Sequence, residues 1–337
     1  MHSGKQAPAA LARIILLTTG GTIAGVAASS TASGYQAAVV DGRALLHAVP
    51  QVGQLASVRP VALLQMDSRD MTDAHRLQLA RGASEWLARD DVDGLVITHG
   101  TDTLEESAYL LHLTLKTRKP VVLTGAMRAG NALSADGPAN LYQAVGVAAS
   151  AAAIGQGVLV VMDGAIWSAR DVCKRDAVAL AAFASPYGPL GWAVAGQPRF
   201  YRAACRAHTL QSRFSLDGLA ALPATAVVTA HAGINAAHVR ALAGQGVRGV
   251  VFAGAGAGSV PEALLPALRG LRAAGVQVVR AARAGQGPLV RGGNADDVAE
   301  GWICVDDQAP AQARVLLALA LTVTEDTAAL QAMFSQY

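Results

Sequence analysis

Short, unbroken apolar runs alternate with stretches of helical periodicity along most of the chain. Runs at 13–18, 57–64, 94–98, 120–124 and 157–162 read as strands, each bounded by turn or polar residues. Helical patterns at 42–49, 72–89, 104–116 and 138–150 lie between them. The strands are continuously apolar rather than alternating, which predicts a sheet buried on both faces. Strand–helix–strand order predicts right-handed parallel crossovers, and so an α/β fold built on a doubly wound, mostly parallel sheet. Ligands bind such sheets beyond the carboxyl ends of the strands, and the unusual residues of this chain fall there.

From Pro186 to Leu216 the periodicity lapses, punctuated by Pro186, Gly188, Pro189, Gly191, Gly196 and Pro198. It then resumes with strands at 226–229, 250–253 and 276–279 and helices at 236–243, 261–273, 312–321 and 326–334. The expected division is a larger N-terminal α/β domain over 1–195, a connection over 196–216 and a smaller C-terminal α/β domain over 217–337.

Composition narrows the function. The 337 residues are 52% hydrophobic and 15% charged, which excludes a disordered chain. Twenty-seven basic against 24 acidic side chains give a net charge of only +3, without basic runs, so neither nucleic acid nor a membrane surface is an expected partner. A mean hydropathy of +0.33 raises the question of a membrane span. The most apolar stretch, 144–161, is broken by Ser150, Gly155, Gln156 and Gly157, and reads as helix end, turn and strand. Cys173, Cys205 and Cys304 are odd in number and lack ligand spacing, so neither a disulfide framework nor a zinc site is expected. Residues 1–12 carry no apolar leader segment, which points to a cytoplasmic protein acting on a small molecule.

Three strand-end segments carry candidate chemistry. In Thr18-Thr19-Gly20-Gly21-Thr22-Ile23-Ala24-Gly25, two glycines allow a sharp turn that presents backbone N–H groups and the Thr22 hydroxyl. Their spacing is neither that of a dinucleotide loop nor that of a phosphate loop; a plain turn is the alternative. In His99-Gly100-Thr101-Asp102-Thr103-Leu104-Glu105-Glu106, capping by Asp102 or Thr103 and dipole compensation by Glu105 and Glu106 account for part of the pattern. They leave a hydroxyl and a carboxylate, Thr101 and Asp102, at a strand end. His99 reads first as a hydrogen-bonded core residue, with a general base as the alternative. In Arg170-Asp171-Val172-Cys173-Lys174-Arg175-Asp176, a solvated charged face competes with a lysine serving as base for a threonine hydroxyl. A reactive Cys173 thiolate has no histidine neighbour to support it.

Together with Asp67–Asp70, 124–127, Ser134-Ala135-Asp136-Gly137-Pro138 and Pro186-Tyr187-Gly188-Pro189-Leu190-Gly191, these segments resemble the bacterial L-asparaginases, nearest the type II asparaginase–glutaminase branch. The resemblance runs nearly end to end. It implies a threonine amidohydrolase that makes aspartate and ammonia from asparagine, without metal or other cofactor. By position, Thr22 would be the nucleophile and Tyr35, on a mobile loop over 26–34 and just beyond, its hydrogen-bond partner. Thr101, Lys174 and Asp102 would form a second hydroxyl–amine–carboxylate set. Asp67, Ser68 and Asp102 would hold the α-carboxylate and α-ammonium, and N–H groups near Thr101 and Ala126 the developing oxyanion. The resemblance also implies a homotetramer in which a neighbour's C-terminal domain completes the site.

Three positions depart from the family pattern, all at the α-amino acid end. Arg69 stands where a glutamine is usual, Ser259 where an asparagine is, and Asn294 where a glutamate is. Arg69 and Asn294 change the local charge, and each lost charge-assisted hydrogen bond is worth about 1.5–3 kcal/mol. Either Asp296, Asp297 or Glu300 replaces the carboxylate, or Arg69 pairs with Asp102 or with a second substrate carboxylate and a related amide is preferred. A non-catalytic amino-acid sensor on the same fold is the reading from another class.

Overall fold

The first apolar run sets the layering. In the computed structural model, which describes residues 10–285 and 287–337, Ile15 and Leu17 of this run enter one hydrophobic core and Ile14 and Leu16 the other. The alternation is that of a strand buried on both faces. The N-terminal stretch read as lacking a leader lies mostly outside the described residues.

In chain order the strands are β1 (Ala12–Gly20), β2 (Val26–Ala27), β3 (Tyr35–Gln36), β4 (Ala56–Met66), β5 (Gly94–Thr98), β6 (Val121–Thr124), β7 (Val158–Met162), β8 (Ala165–Ser168), β9 (Cys173–Lys174), β10 (Phe183–Ala184), β11 (Gly191–Val194) and β12 (Gln197–Phe200). The helices among them are α1 (Gly42–His47), α2 (Asp73–Leu87), α3 (Leu104–Thr114) and α4 (Gly137–Ala148). The large sheet has the order β12-β11-β8-β7-β6-β5-β1-β4. Strands β4, β1, β5, β6 and β7 are parallel, and β8, β11 and β12 add antiparallel. The chain steps from β1 outward to β4, then returns to the other side of β1 with β5. The crevice between the ends of β1 and β5 is therefore the topological switch point, where ligands bind in open α/β sheets.

The second sheet is parallel, in the order β13 (Thr225–Thr229), β14 (Gly249–Gly254), β15 (Gln277–Ala282) and β16 (Ile303–Cys304). It carries α5 (Ala236–Ala241), α6 (Leu265–Ala273), α7 (Pro310–Ala320) and α8 (Thr327–Gln336). The α/β class and the mostly parallel sheet thus match the expectation, while β8, β11, β12 and β16 add to it.

The two units are joined by more than chain connectivity. One core runs from Leu110 and Leu113 of α3 through Leu316 and Leu317 of α7 to Val251 and Ala281 of the second sheet. Of the segment expected to be a connection, Gln197–Phe200 forms the edge strand β12, and Phe214 is buried against the Tyr337 ring, with centroids 5.1 Å apart. Among the described residues, no helix is long and apolar enough to cross a membrane.

Candidate active site

At the end of β1 the chain turns through Gly20 and Gly21, both at positive φ (102° and 78°), into a short 3-10 turn that opens with Thr22. A Cβ on Gly21 would collide with the backbone of Gly100, and one on Gly100 would collide with the Ser68 side chain. Glycine at both places lets the turns after β1 and β5 touch backbone to backbone and the Ser68 side chain, after β4, pack directly on Gly100. The residues that follow them, Thr22 and Thr101, are consequently delivered to the same crevice.

Two hydroxyl sets result. Thr22, buried, has its Oγ1 2.7 Å from the Tyr35 hydroxyl. Tyr35 stands on β3, which pairs antiparallel with β2 (Ala27 opposite Tyr35), so the expected loop is a small hairpin folded back over the Thr22 turn. The Asn131 side-chain amide both accepts from the Ala27 N–H and donates to the Ala27 carbonyl, at 2.8 Å each, and fixes the hairpin base. In the second set, Lys174 Nζ donates to Thr101 Oγ1 at 2.9 Å and to Asp102 Oδ1 at 2.7 Å. The Lys174 backbone N–H in turn donates to Glu105 Oε2.

The expected binding residues surround these sets. Ser68 is fully buried; its Oγ accepts from the Asp102 N–H at 3.2 Å and its carbonyl from the Thr103 hydroxyl at 2.8 Å. Ala126 is buried just beyond β6, and the turn after it is held by Asp136, which accepts the Met127 and Arg128 N–H groups at 2.9 Å each. Asn140 donates to both the Gly125 carbonyl and Asp136, at 3.1 Å. Asp67 caps the turn Ser68–Asp70 and forms an ion pair with Arg69 at 3.2 Å. Arg69 therefore pairs with Asp67 on the same turn rather than with Asp102, one of the two partners considered for it; Asp102 is paired with Lys174. The Arg69 side chain is 73% exposed.

Ser259 and Asn294 stand elsewhere. Their side chains meet each other at 3.4 Å on the C-terminal domain, where Asn294 also reaches the Ala257 carbonyl. Of the candidates for a replacement carboxylate, Asp297 is fully buried in a two-point pair with Arg280, 2.6 Å at each contact, and also accepts the Gly292 N–H. Glu300 is held by Arg269 through two contacts. Asp296 is exposed and caps Ala299 at 3.1 Å.

Electrostatics assigns the open histidine and cysteine readings. Burial lowers His99 to about 4, so the imidazole is neutral; its Nδ1 lies 2.7 Å from the Gly100 carbonyl, as in a core residue rather than a base. Burial raises the Cys173 thiol to about 12, which excludes a thiolate. Burial also pushes Glu105 up to about 7, against the opposing pull of the Lys174 N–H. The roles of Glu105, Asp136, Asn140 and Asn131 escaped the sequence reading. Asp136 and Glu105 lay in quoted segments, Glu105 read there as complementing the helix dipole, and Asn131 and Asn140 looked like ordinary loop or helix polarity.

Comparison with known proteins bears on this geometry. Residues 13–206 match the family model described as Asparaginase, N-terminal, and residues 225–334 match the Glutaminase/Asparaginase C-terminal domain. The chain belongs to the asparaginase family. It is 43% identical to a glutaminase-asparaginase of Pseudomonas fluorescens biotype A, over 97% of this chain and 91% of that protein. It is 41% identical to L-asparaginase 2 of Escherichia coli K12, over 97% and 94%. A solved structure of a probable cytoplasmic L-asparaginase from Campylobacter jejuni superposes with a TM-score of 0.94 at 41% identity, covering 97% of this chain and all of that one. In this asparaginase-family chain, Thr22 meets Tyr35 and Thr101 meets Lys174.

Proposed function

We propose that this chain hydrolyses the side-chain amide of L-asparagine to L-aspartate and ammonia, with Thr22 as nucleophile. The observation that carries the reading is the pair of hydroxyls, each hydrogen-bonded to a proton-handling partner, at the switch point of the sheet. A primary amide resists attack, so the site must supply a placed nucleophile, a proton route and donors for the oxyanion. Thr22 Oγ1 bonds to the amide carbon while its proton leaves toward Tyr35, and the carbonyl oxygen takes the negative charge facing N–H groups near Thr101 and Ala126. Collapse expels the amide nitrogen, which takes the proton relayed through Tyr35 and leaves as ammonia, and an ester remains on Thr22. Water then cleaves that ester, with Thr101 and Lys174 relaying its proton and Asp102 holding the amine. Ser68 and Asp102 hold the α-carboxylate and α-ammonium, while Ser259 and Asn294 serve a neighbouring subunit of a cytoplasmic homotetramer.

The second reading rests on a specific observation. Asp297 and Glu300 are both committed to arginines, and Asp296 is turned to the Ala299 N–H, so none of the three takes the place of the carboxylate that would oppose the α-ammonium. An amide lacking that ammonium is then the better substrate. Ammonia release from asparagine, glutamine and succinamate by wild type and Thr22→Ala tests both. Asparagine turnover abolished in Thr22→Ala supports the first reading. Faster turnover of succinamate supports the second, and no turnover of any amide favours a sensor.

A further inference from the structure

We propose that Glu105 is a positioning residue for Lys174, fixing the lysine backbone so that its amine reaches Thr101 and Asp102. The inference rests on the reading of Lys174 as the amine of the second hydroxyl set. Strand β9, which carries Lys174, is two residues long and among the described residues pairs only with the equally short β10. It belongs to neither large sheet, so no extended ladder ties it to β5. Thr101 and Asp102, by contrast, lie between β5 and α3. Glu105 stands in the first turn of α3, three residues beyond Asp102, and accepts the Lys174 backbone N–H. Beside the amine's own contacts, this hydrogen bond ties the backbone that holds the amine to the segment that holds its two partners.

The chemistry of the acceptor is unusual for a purely structural tie. The adjacent Glu106 pairs with two arginines, Arg76 at 3.0 Å and Arg314 at 2.9 Å. Glu105, although largely withdrawn from water, forms no ion pair among the described residues. The titratable groups facing it are Glu106 on its own helix and Cys173, Lys174 and Arg175 from the β9 segment. A desolvated carboxylate with no countercharge is costly in a fold and is characteristic of functional sites. Burial leaves it titrating near neutrality, at about 7. Protonation weakens its hold on the Lys174 N–H, because a charge-assisted bond is stronger than a neutral one.

The test measures steady-state ammonia release from asparagine between pH 5.5 and 8.5 for wild type, Glu105→Gln, Glu105→Ala and Thr22→Ala, alongside thermal unfolding. Glu105→Gln keeps an acceptor oxygen and removes the titration. It is expected to lose the acid limb of the kcat profile near pH 7 and to keep KM within about twofold. Glu105→Ala, with no acceptor, is expected to lower kcat about 100-fold at every pH, the scale of an ångström misplacement. If both variants keep the wild-type kcat and its pH profile while Thr22→Ala is inactive, the positioning role is wrong and the proposed reaction stands. If Thr22→Ala retains wild-type activity, the proposed mechanism with Thr22 as nucleophile fails instead. Should Glu105→Ala not fold, the profile of Glu105→Gln alone decides.

Discussion

Thr22 and Tyr35 share a 2.7 Å contact that no sequence spacing announces. If Tyr35 accepts or relays the threonine proton, Tyr35→Phe removes that route and leaves the ring packing. Its kcat should fall by about 100-fold or more, in the range of lost acid–base catalysis, with KM little changed in the same ammonia assay. Arg69→Gln separates a different pair of ideas. Its partner Asp67 lies two positions away and the guanidinium is mostly in water. The substitution should therefore shift stability by less than about 0.5 kcal/mol. A changed ratio of asparagine to succinamate turnover would show that Arg69 faces substrate, and an unchanged ratio that it only braces Asp67. At this scale the sequence was most legible where chemistry clusters at a strand end: Lys174 meets Thr101 and Asp102, and Thr22 meets Tyr35. It was silent on Glu105, because an acid in the first turn of a helix already has a sufficient explanation in the helix dipole. Only the fold shows that Glu105 turns toward β9 while Glu106 turns toward two arginines.

At the level of elements, the hairpin of β2 and β3 illustrates why some pieces stayed hidden. Two-residue strands have no periodicity to detect, and the small polar residues between them read as loop. What fixes the hairpin is a side chain about a hundred residues away, Asn131, posing as a strand edge against Ala27. Replacing it by alanine removes two hydrogen bonds, each worth about 1 kcal/mol, so opening should rise roughly thirtyfold. Limited proteolysis of the 27–34 segment reads this directly, and cleavage as slow as in wild type would show that the hairpin is held elsewhere. The long elements were readable for the opposite reason. Strands β5, β6 and β7 are buried on both faces, and α2 opens on a reciprocal capping pair between Thr72 and His75. The antiparallel edge of the sheet was not, because β8, β11 and β12 lie among glycines and prolines that also spell linker.

For the whole molecule, the seam between the domains is ionic as well as apolar. Asp73 and Arg76 of α2, Glu106 of α3 and Arg314 of α7 form a closed quartet, with contacts from 2.6 to 3.1 Å. Removing one member strands a charge, at a cost of about 3 kcal/mol for a buried network. Arg314→Ala should therefore lower the urea midpoint of the whole chain in one transition; two separated transitions would mean the domains unfold independently. The quartet also makes a pH prediction. Burial alone would raise Asp73, but the Arg314 and Arg76 guanidinium groups outweigh it and hold the carboxyl below its ordinary value of 3.8. A depressed carboxylate contributes stability above its unfolded pKa, and loses it as pH falls through the folded value. Glu105 works the other way: raised to about 7, it costs stability as pH climbs from about 4.5 to 7. Glu105→Gln should thus melt higher than wild type at pH 8 and alike at pH 4, as calorimetry would show.

The same helix that supplies Arg314 also carries Gln312, whose amide donates to the Val172 carbonyl at 2.7 Å and meets the Cys173 sulfur at 3.3 Å, immediately before Lys174. The C-terminal domain therefore braces the backbone just before Lys174 in its own chain. The N-terminal domain is not a portable module that could be excised at residue 216 and transplanted. A fragment cut there would retain its threonines but lose one anchor of the backbone that delivers the amine. Grafting, gene splitting or domain exchange among relatives must carry α7 and the β9 segment as a matched pair.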